Sequence, residues 1–426
     1  DESQQRRYTH VPFEVPPGVR ALHFSYDYSG RTGSDPQLRG NTLDIGLFDP
    51  RGIAPSSPGF RGWSGSHKLS FSVTETWATP PYLAGPITAG TWHVLLGPYK
   101  VMPAGCEYTV EILFGVDAFA PDERPREVTA VRPALAGSVE PGWLRGDLHC
   151  HTLHSDGDSW PRDMLHHAVE RGLDFLGVTD HNQVGHHADY ARVRGSDLPI
   201  VLPGNEVTTY GGHWNVWGTD TWWEFREPTE AATTQAMQAA AASGALVSIN
   251  HPKAFGFGWE YPNALGYHAI EVWNGAWATL NVEALRWWDE QLRSGRGVVA
   301  VGGSDTHMLK DPESPDRLGL PTTWAYVGSD RSVAGVLAAL RSGRVFISRD
   351  VDGPQLYLSR LGTGVDVRAV GAKGAALLVV TEAGIAHAAS VATEDWRTHV
   401  EVQQPLYVRA QLMDTDGQML ALTNPV

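Results

Sequence analysis

The chain has 426 residues, 42% of them hydrophobic and 19% charged, enough for two to four folded units at about 100 to 200 residues each. With 33 basic against 48 acidic residues the formal net charge is −15, so no general basic surface exists to hold a nucleic-acid polymer by counterion release. No apolar run reaches the ~18 to 20 residues of a membrane-spanning helix, and two distant cysteines, Cys106 and Cys150, argue against a disulfide framework. A soluble chain is expected, cytoplasmic by preference. Export stays open because the sequence starts at Asp1 without an initiator Met.

Near the start, Leu22, Phe24, Tyr26 and Tyr28 alternate with His23, Ser25 and Asp27, the period of two of a half-buried strand. Similar runs follow at 42–48, 68–73, 91–96 and 108–114, broken by Gly and Pro. Residues 1–116 therefore read as an N-terminal β-sandwich, and the Pro-rich, charged stretch 117–142 as a linker. From 143 to 352 short apolar runs alternate with helix-forming stretches. Strands are expected at 144–149, 175–179, 200–202, 246–249, 269–272, 298–301 and 345–347. Helices are expected at 162–171, 229–242, 282–293 and 332–341, three of them stopping at Gly244, Gly295 and Gly343. This alternation predicts a parallel sheet closed into a (β/α) barrel. Past Gly353 the β pattern returns, with Asp416-Gly417 as a hairpin turn, so 353–426 reads as a C-terminal β-domain.

Twelve of the 18 histidines lie between His149 and His307. In Asp147-Leu148-His149-Cys150-His151 the two imidazoles are two residues apart at the end of an apolar run, so on a strand they share one face while Cys150 turns to the core. Ser155-Asp156-Gly157 can return a carboxylate to the mouth of that strand, although Asp-Gly alone is a common turn. Thr179-Asp180-His181 ends the second run, Glu206 follows the third, His251 ends a fourth, and Asp305-x-His307 ends another. The C-terminal ends of parallel barrel strands converge on one face. An imidazole and carboxylate set without thiolates suits Zn, Mn or Fe(II).

In that order, His149-x-His151, Asp156, Thr179-Asp180-His181, Glu206, His251 and Asp305-x-His307 resemble the polymerase and histidinol phosphatase (PHP) superfamily of metal-dependent phosphoesterases. Gly204-Asn205-Glu206, Asn250-His251-Pro252-Lys253, Glu271-Val272-Trp273-Asn274 and Gly302-Gly303-Ser304-Asp305 resemble its carbaryl-hydrolase branch. The resemblance covers about residues 145 to 350 and implies a distorted seven-stranded (β/α) barrel, flanked here by β-sandwich-like domains, with two or three divalent metal ions. It implies a first metal on His149, His151, Glu206 and Asp305, and a second on Glu206, His251 and a further histidine, for which His213 is chosen. A third would sit on Asp156, His181 and His307. The amidohydrolases also begin with H-x-H but close on a lone Asp, unlike Asp305-x-His307.

Two divalent ions ~3.5 to 4 Å apart lower the pKa of a bridging water and steady the attacking and leaving oxygens of an in-line displacement. Glu206 is placed to bridge them, with His251 and Lys253 as further candidate catalytic groups. The concentrated positive charge favours a small anionic ester despite the overall acidity. The leading expectation is a phosphoesterase acting on a phosphomonoester or small phosphodiester. A carboxylic-ester or carbamate hydrolase is the alternative, and a glycan- or partner-binding protein with a structural metal site is a third reading. Trp273, Trp277, Trp287 and Trp288 near Asn274 are expected to pack the barrel against a β-domain, with a pocket for an aromatic or nucleoside leaving group as the alternative. No P-loop, G-x-G-x-x-G or G-x-S-x-G motif occurs.

Overall fold

The structure is a computed structural model that describes all residues except 34–36, 116–125, 136, 255, 257 and 312, so residues 117–125 and 136 of the expected linker lie outside the described residues. The N-terminal strands are β1 (Thr9–Val15), β2 (Ala21–Tyr28), β3 (Thr42–Phe48), β4 (Phe60–Gly65), β5 (Ser70–Thr74), β6 (Gly90–Lys100) and β7 (Tyr108–Gly115). In β2, Phe24, Tyr26 and Tyr28 are buried while Ser25 and Asp27 face water, as the period of two requires. The strands form two sheets, β1-β6-β3-β4 and β5-β2-β7. Leu22, Phe24, Ile45, Phe71, Trp92 and Val94 fill one core between them. Strand β3 is buried along its whole length, because its sheet has a second neighbour. Phe48, Phe60 and Leu95 pack in one cluster with Trp214, Val216, Trp222 and Phe225 of the region that follows.

That region runs β8 (Trp143–Asp147), α1 (Pro161–Glu170), β9 (Phe175–Gly177), α2 (His186–Tyr190), β10 (Ile200–Leu202), β11 (Gly204–Thr209), β12 (Gly212–Trp217), α3 (Glu230–Ala242) and β13 (Leu246–Ile249). It continues through β14 (Ala269–Asn274), α4 (Asn281–Arg293), β15 (Val299–Gly303), β16 (Thr322–Tyr326), α5 (Val333–Arg341) and β17 (Val345–Ser348). Helix α3 starts at Thr229, whose side chain accepts from Ala232 N, and α5 at Ser332, which accepts from Gly335 N. Both stop just before a glycine of positive φ, Gly244 at 92° and Gly343 at 69°.

The strand pairing does not show the expected distorted seven-stranded (β/α) barrel. The pairing is parallel in β10-β9-β8 and in β13-β14-β15, and antiparallel where β16 joins β8 and β17 and where β11, β12 and β13 pair. Strands β11 and β12 are separated by Tyr210-Gly211 alone, and a two-residue link makes an antiparallel hairpin, since a parallel return needs a crossover of a dozen or more residues. The strands thus divide between two sheets, β11 to β15 in order and a nine-stranded sheet beginning β10-β9-β8-β16-β17. Isolated bridges between Cys150 and Thr306 and between His181 and Glu206 stitch the two sheets together.

The last strands are β18 (Gln355–Leu361), β19 (Gly364–Val370), β20 (Ala376–Thr381), β21 (Gly384–Ser390), β22 (Asp395–Glu401), β23 (Val408–Met413) and β24 (Met419–Thr423). Only β18-β19-β22 make a sheet of their own; β24-β23-β20-β21 extend the nine-stranded sheet beyond β17. Trp273 and Trp288 lie in the core between α4 and this extension, with Tyr407, Met419 and Leu422. Among the described residues no helix is long and apolar enough to cross a membrane.

Candidate metal centre

The seam between the two sheets is where the histidines and carboxylates meet. His149 and His151 follow β8, and His181 follows β9. His251 follows β13, while Asp305 and His307 follow β15. Glu206 and His213 are carried by the hairpin itself, on β11 and β12. Asp156 comes from the loop ahead of α1. The local backbone is bent to deliver these groups. His251 and Asp305 have φ of 30° and 56°, in the left-handed region that non-glycine residues avoid and that clusters at functional sites. At Gly303 an added Cβ would stand 2.4 Å from His149 Cβ and 2.8 Å from Glu271 Oε1, so only glycine lets β15 approach the His149 strand end this closely.

Glu206 is the hub. Its Oε2 lies 3.4 Å from His149 Nε2, 3.5 Å from His151 Nε2 and 2.8 Å from His181 Nδ1. Its Oε1 lies 3.3 Å from His213 Nδ1 and 3.4 Å from His251 Nε2. Asp305 Oδ1 is 3.2 Å from His149 Nε2 and 3.0 Å from His151 Nε2. Asp156 Oδ1 is 3.6 Å from His181 Nε2 and 3.4 Å from His307 Nε2. Two donors each about 2.1 Å from a common ion stand about 3.0 to 3.4 Å apart, which is the spacing of most of these pairs.

Among the described residues, three overlapping groups have ligand atoms all within 4.8 Å of one another: His149, His151 and Glu206; His181, Glu206 and His213; and His151, Asp156, His181 and His307. The grouping differs from the expected one: none of the three groups contains His251 or Asp305, which approach the cluster through Glu206 and through His149 and His151, and His213 shares Glu206 with His181. His149 Nε2, Asp156 Oδ1 and Glu206 Oε2 are buried atoms with no hydrogen-bond partner, although each is near another ligand atom. Orphaned buried donor atoms that converge are costly unless a cation satisfies them, so the donor set fits divalent metal ions.

Around these side chains lies a second set, of which the sequence reading singled out only Lys253 for a role. Glu271 on β14 takes His149 Nδ1 at 2.9 Å, the His251 backbone N–H at 3.1 Å and Asn274 Nδ2 at 3.2 Å. With Nε2 of His149 turned to the ligand cluster, Nδ1 carries the proton and donates it to Glu271. Asn250 donates to Glu206 Oε1 at 2.8 Å, and Asn274 to Asp305 Oδ2 at 3.2 Å. Asp147, fully buried, accepts the backbone N–H groups of His149, Ser304 and Gly319 and so pins the ends of β8 and β15 together. Lys253 lines the cavity over the cluster, and its Nζ donates to Asn274 O, Thr279 Oγ1 and Asn281 Oδ1 at 3.1, 3.0 and 3.2 Å. Cys150 turns away as strand parity requires, into the core beside α1.

The charges of the cluster are strongly coupled. Burial opposes ionisation of Glu206, but His149, His181 and His213 outweigh it and hold the carboxyl well below its ordinary value. Asp305 is likewise held low against burial by His149, His151 and His307. Burial, with His307 and His181, pushes His151 down to about 4, while His307 rises to about 10 because Asp156 and Asp305 overcome its burial. Burial also lowers Lys253 to about 8, against the pull of Glu271, Asp305 and Asp316. Ionised carboxylates facing imidazoles across about 3 Å form a site that calls for cations.

No family model matches the chain. A stretch of 96 residues is 30% identical to the DNA polymerase/3'-5' exonuclease PolX of Bacillus subtilis (strain 168), covering 22% of this chain and 16% of that protein. Another match, 33% over 64 residues, is to a 5'-3' exoribonuclease of Haemophilus influenzae, covering 15% of this chain and 23% of that protein. The chain thus spans less than a quarter of either curated relative. Among solved structures it is similar to a two-domain protein containing a predicted PHP-like metal-dependent phosphoesterase from Bacteroides vulgatus ATCC 8482. There the identity is 19% and the TM-score 0.37, over 72% of this chain and all of that one.

Proposed function

We propose that this chain is a metal-dependent hydrolase of PHP type, related to the carbaryl-hydrolase branch, that acts as a phosphoesterase on phosphomonoesters or small phosphodiesters. The observation that carries the reading is the gathering of five histidines within 3.5 Å of Glu206, with Asp305, Asp156 and His307 paired to those histidines or to one another. His149, His151, Asp156, His181, Glu206, His213, His251, Asp305 and His307 would hold two or three divalent ions, with Glu206 presenting one oxygen to each side of the cluster. Such ions, when bound, supply Lewis acidity and an activated water at neutral pH. The chain's own residues do the rest. Glu271 fixes the tautomer and angle of His149, Asn250 holds Glu206, and Asn274 holds Asp305. Lys253, lowered to about 8 by burial, adds a cation on the wall of the cavity at neutral pH and braces the end of β14 at Asn274.

A centre of this charge favours a phosphate dianion over a neutral ester. Both curated relatives are named for exonuclease or exoribonuclease activity, which supports phosphoester chemistry, while the net charge of −15 favours small substrates over a polymer. The test is turnover of p-nitrophenyl phosphate and bis(p-nitrophenyl) phosphate by protein reconstituted with Mn, Zn or Fe(II). Hydrolysis that disappears in Glu206→Ala is expected. No hydrolysis with any of these metals would overturn the proposal, and preferential cleavage of p-nitrophenyl acetate or a naphthyl carbamate would move the assignment to carboxylic esters.

A further inference from the structure

The cavity of about 240 Å³ over the metal centre accommodates little beyond the reacting group. A second cavity, of about 670 Å³, shares Asp156, His181 and His213 with it and extends under the N-terminal sheets. Its volume falls in the range of small-molecule sites, ~300 to 1,000 Å³. The far wall belongs to residues before 100: Tyr28 from β2, Asp44 from β3, Trp63 from β4, and Tyr99 from β6. The near wall is Tyr210, in the two-residue turn of the hairpin that carries Glu206 and His213.

Tyr210 ties the two walls together. Its hydroxyl donates to Asp44 Oδ2 at 2.7 Å. Its ring stacks on Tyr8 at 4.8 Å and 7° and lies 5.1 Å from Tyr99. At Gly97 on β6 an added Cβ would stand 2.2 Å from the Tyr210 hydroxyl, so the N-terminal sheet is fitted closely to the metal-bearing hairpin. The flat aromatic walls suit a ring. Above pH about 7, where Asp44 is ionised, it accepts one hydrogen bond from Tyr210 and a carboxylate has about four acceptor positions, so acceptor capacity remains on the cavity wall.

We propose that the N-terminal sheets select the substrate: this cavity holds the leaving group, a planar aromatic ring with an N–H or O–H donor that bonds to Asp44, while the ester group lies at the metal centre. The leaving-group assignment rests on the phosphoesterase reading; the ring site itself does not. It gives the N-terminal β-region a purpose in specificity, with residues more than 100 positions upstream of Glu206 lining the same space as its ligand partners.

The experiment compares 3-indoxyl phosphate, which has an N–H, with 1-naphthyl phosphate, which lacks it, and methyl phosphate, which has no ring. Assayed at pH about 8.5, above the Asp44 titration, Asp44→Asn turns a donor toward the ring N–H and is expected to lower the ratio of kcat/KM for indoxyl over naphthyl phosphate at least tenfold. Ser66→Trp, in the β4–β5 turn on the cavity wall, fills the space and is expected to lower both aromatic substrates at least tenfold relative to methyl phosphate. Calorimetric titration of indole into the same proteins reads the ring site without turnover, with saturable binding to wild type that Ser66→Trp abolishes. Equal scaling of all three substrates in both variants, or no indole binding to wild type, would overturn the inference. Indole binding without hydrolysis of any phosphoester would instead remove the phosphoesterase reading and leave the ring site standing.

Discussion

Replacing Glu271 by Gln tests whether the metal centre is held in shape by the residues behind it. The carboxylate faces three donors, His149 Nδ1, His251 N and Asn274 Nδ2, and is 2% exposed. Gln keeps the volume but has one acceptor oxygen, so its amide NH₂ must confront His149 Nδ1–H or the His251 backbone N–H. A buried donor left without an acceptor costs about 1 to 3 kcal/mol, and at about 1.4 kcal/mol per tenfold that corresponds to a loss of roughly 5- to 150-fold in metal affinity. This agrees with the ~10- to 100-fold typical of removing a carboxylate partner from a ligating histidine. Competition of the reconstituted protein with a metallochromic chelator measures the affinity, and urea unfolding of the metal-free form separates affinity from stability. A Glu271→Gln protein that binds metal within twofold of wild type would refute the reasoning.

Asp147→Asn sets an amide NH₂ against at least one of three buried N–H groups and is expected to destabilise by about 1 to 3 kcal/mol, seen as a lower urea midpoint at unchanged slope. Trp222→Ala removes a ring that stacks on Phe60 at 4.8 Å and packs near Phe48 between the N-terminal sheet and the hairpin, with an expected loss of about 3 to 5 kcal/mol in the same assay. Asp44 supplies a pH dependence. Burial raises its carboxyl to about 7, with Tyr210 and His181 opposing. The folded state therefore keeps a proton that the unfolded chain releases near 3.8. Stability from this group is full below that value and is lost as pH rises through about 7, by up to about 4 kcal/mol. Asp44→Asn should flatten the fall in unfolding midpoint between pH 4 and 8; an unchanged slope would contradict the assignment.

Several of the candidate ligands stood out in the sequence because they follow strand ends. His149-x-His151 and Asp305-x-His307 sit where apolar runs stop, and the folded chain puts the first pair and Asp305 within 3.5 Å of one another or of Glu206. The expected strand limits at 42–48, 200–202 and 246–249 coincide with β3, β10 and β13. Pairing direction was not legible, because periodicity marks a strand without naming its neighbour. The β11–β12 hairpin escaped notice although it carries Glu206 and His213, since Gly204 to Trp217 is polar on one side, buried throughout its second strand, and interrupted by paired glycines. Glu271 and Asn250 read as ordinary residues in a motif; only their partners, 122 and 44 positions away, reveal what they do. The C-terminal strands showed their alternation but not that β24 would pair with β17 and lengthen the nine-stranded sheet.

Metal content decides the central claim most directly. Inductively coupled plasma mass spectrometry on protein reconstituted with Mn or Zn and freed of excess ion should find about two or three equivalents per chain, falling by at least one in Glu206→Ala, whose two oxygens serve both sides of the cluster. Wild-type protein that retains less than about half an equivalent of any divalent metal, or an identical content in Glu206→Ala, would contradict the account.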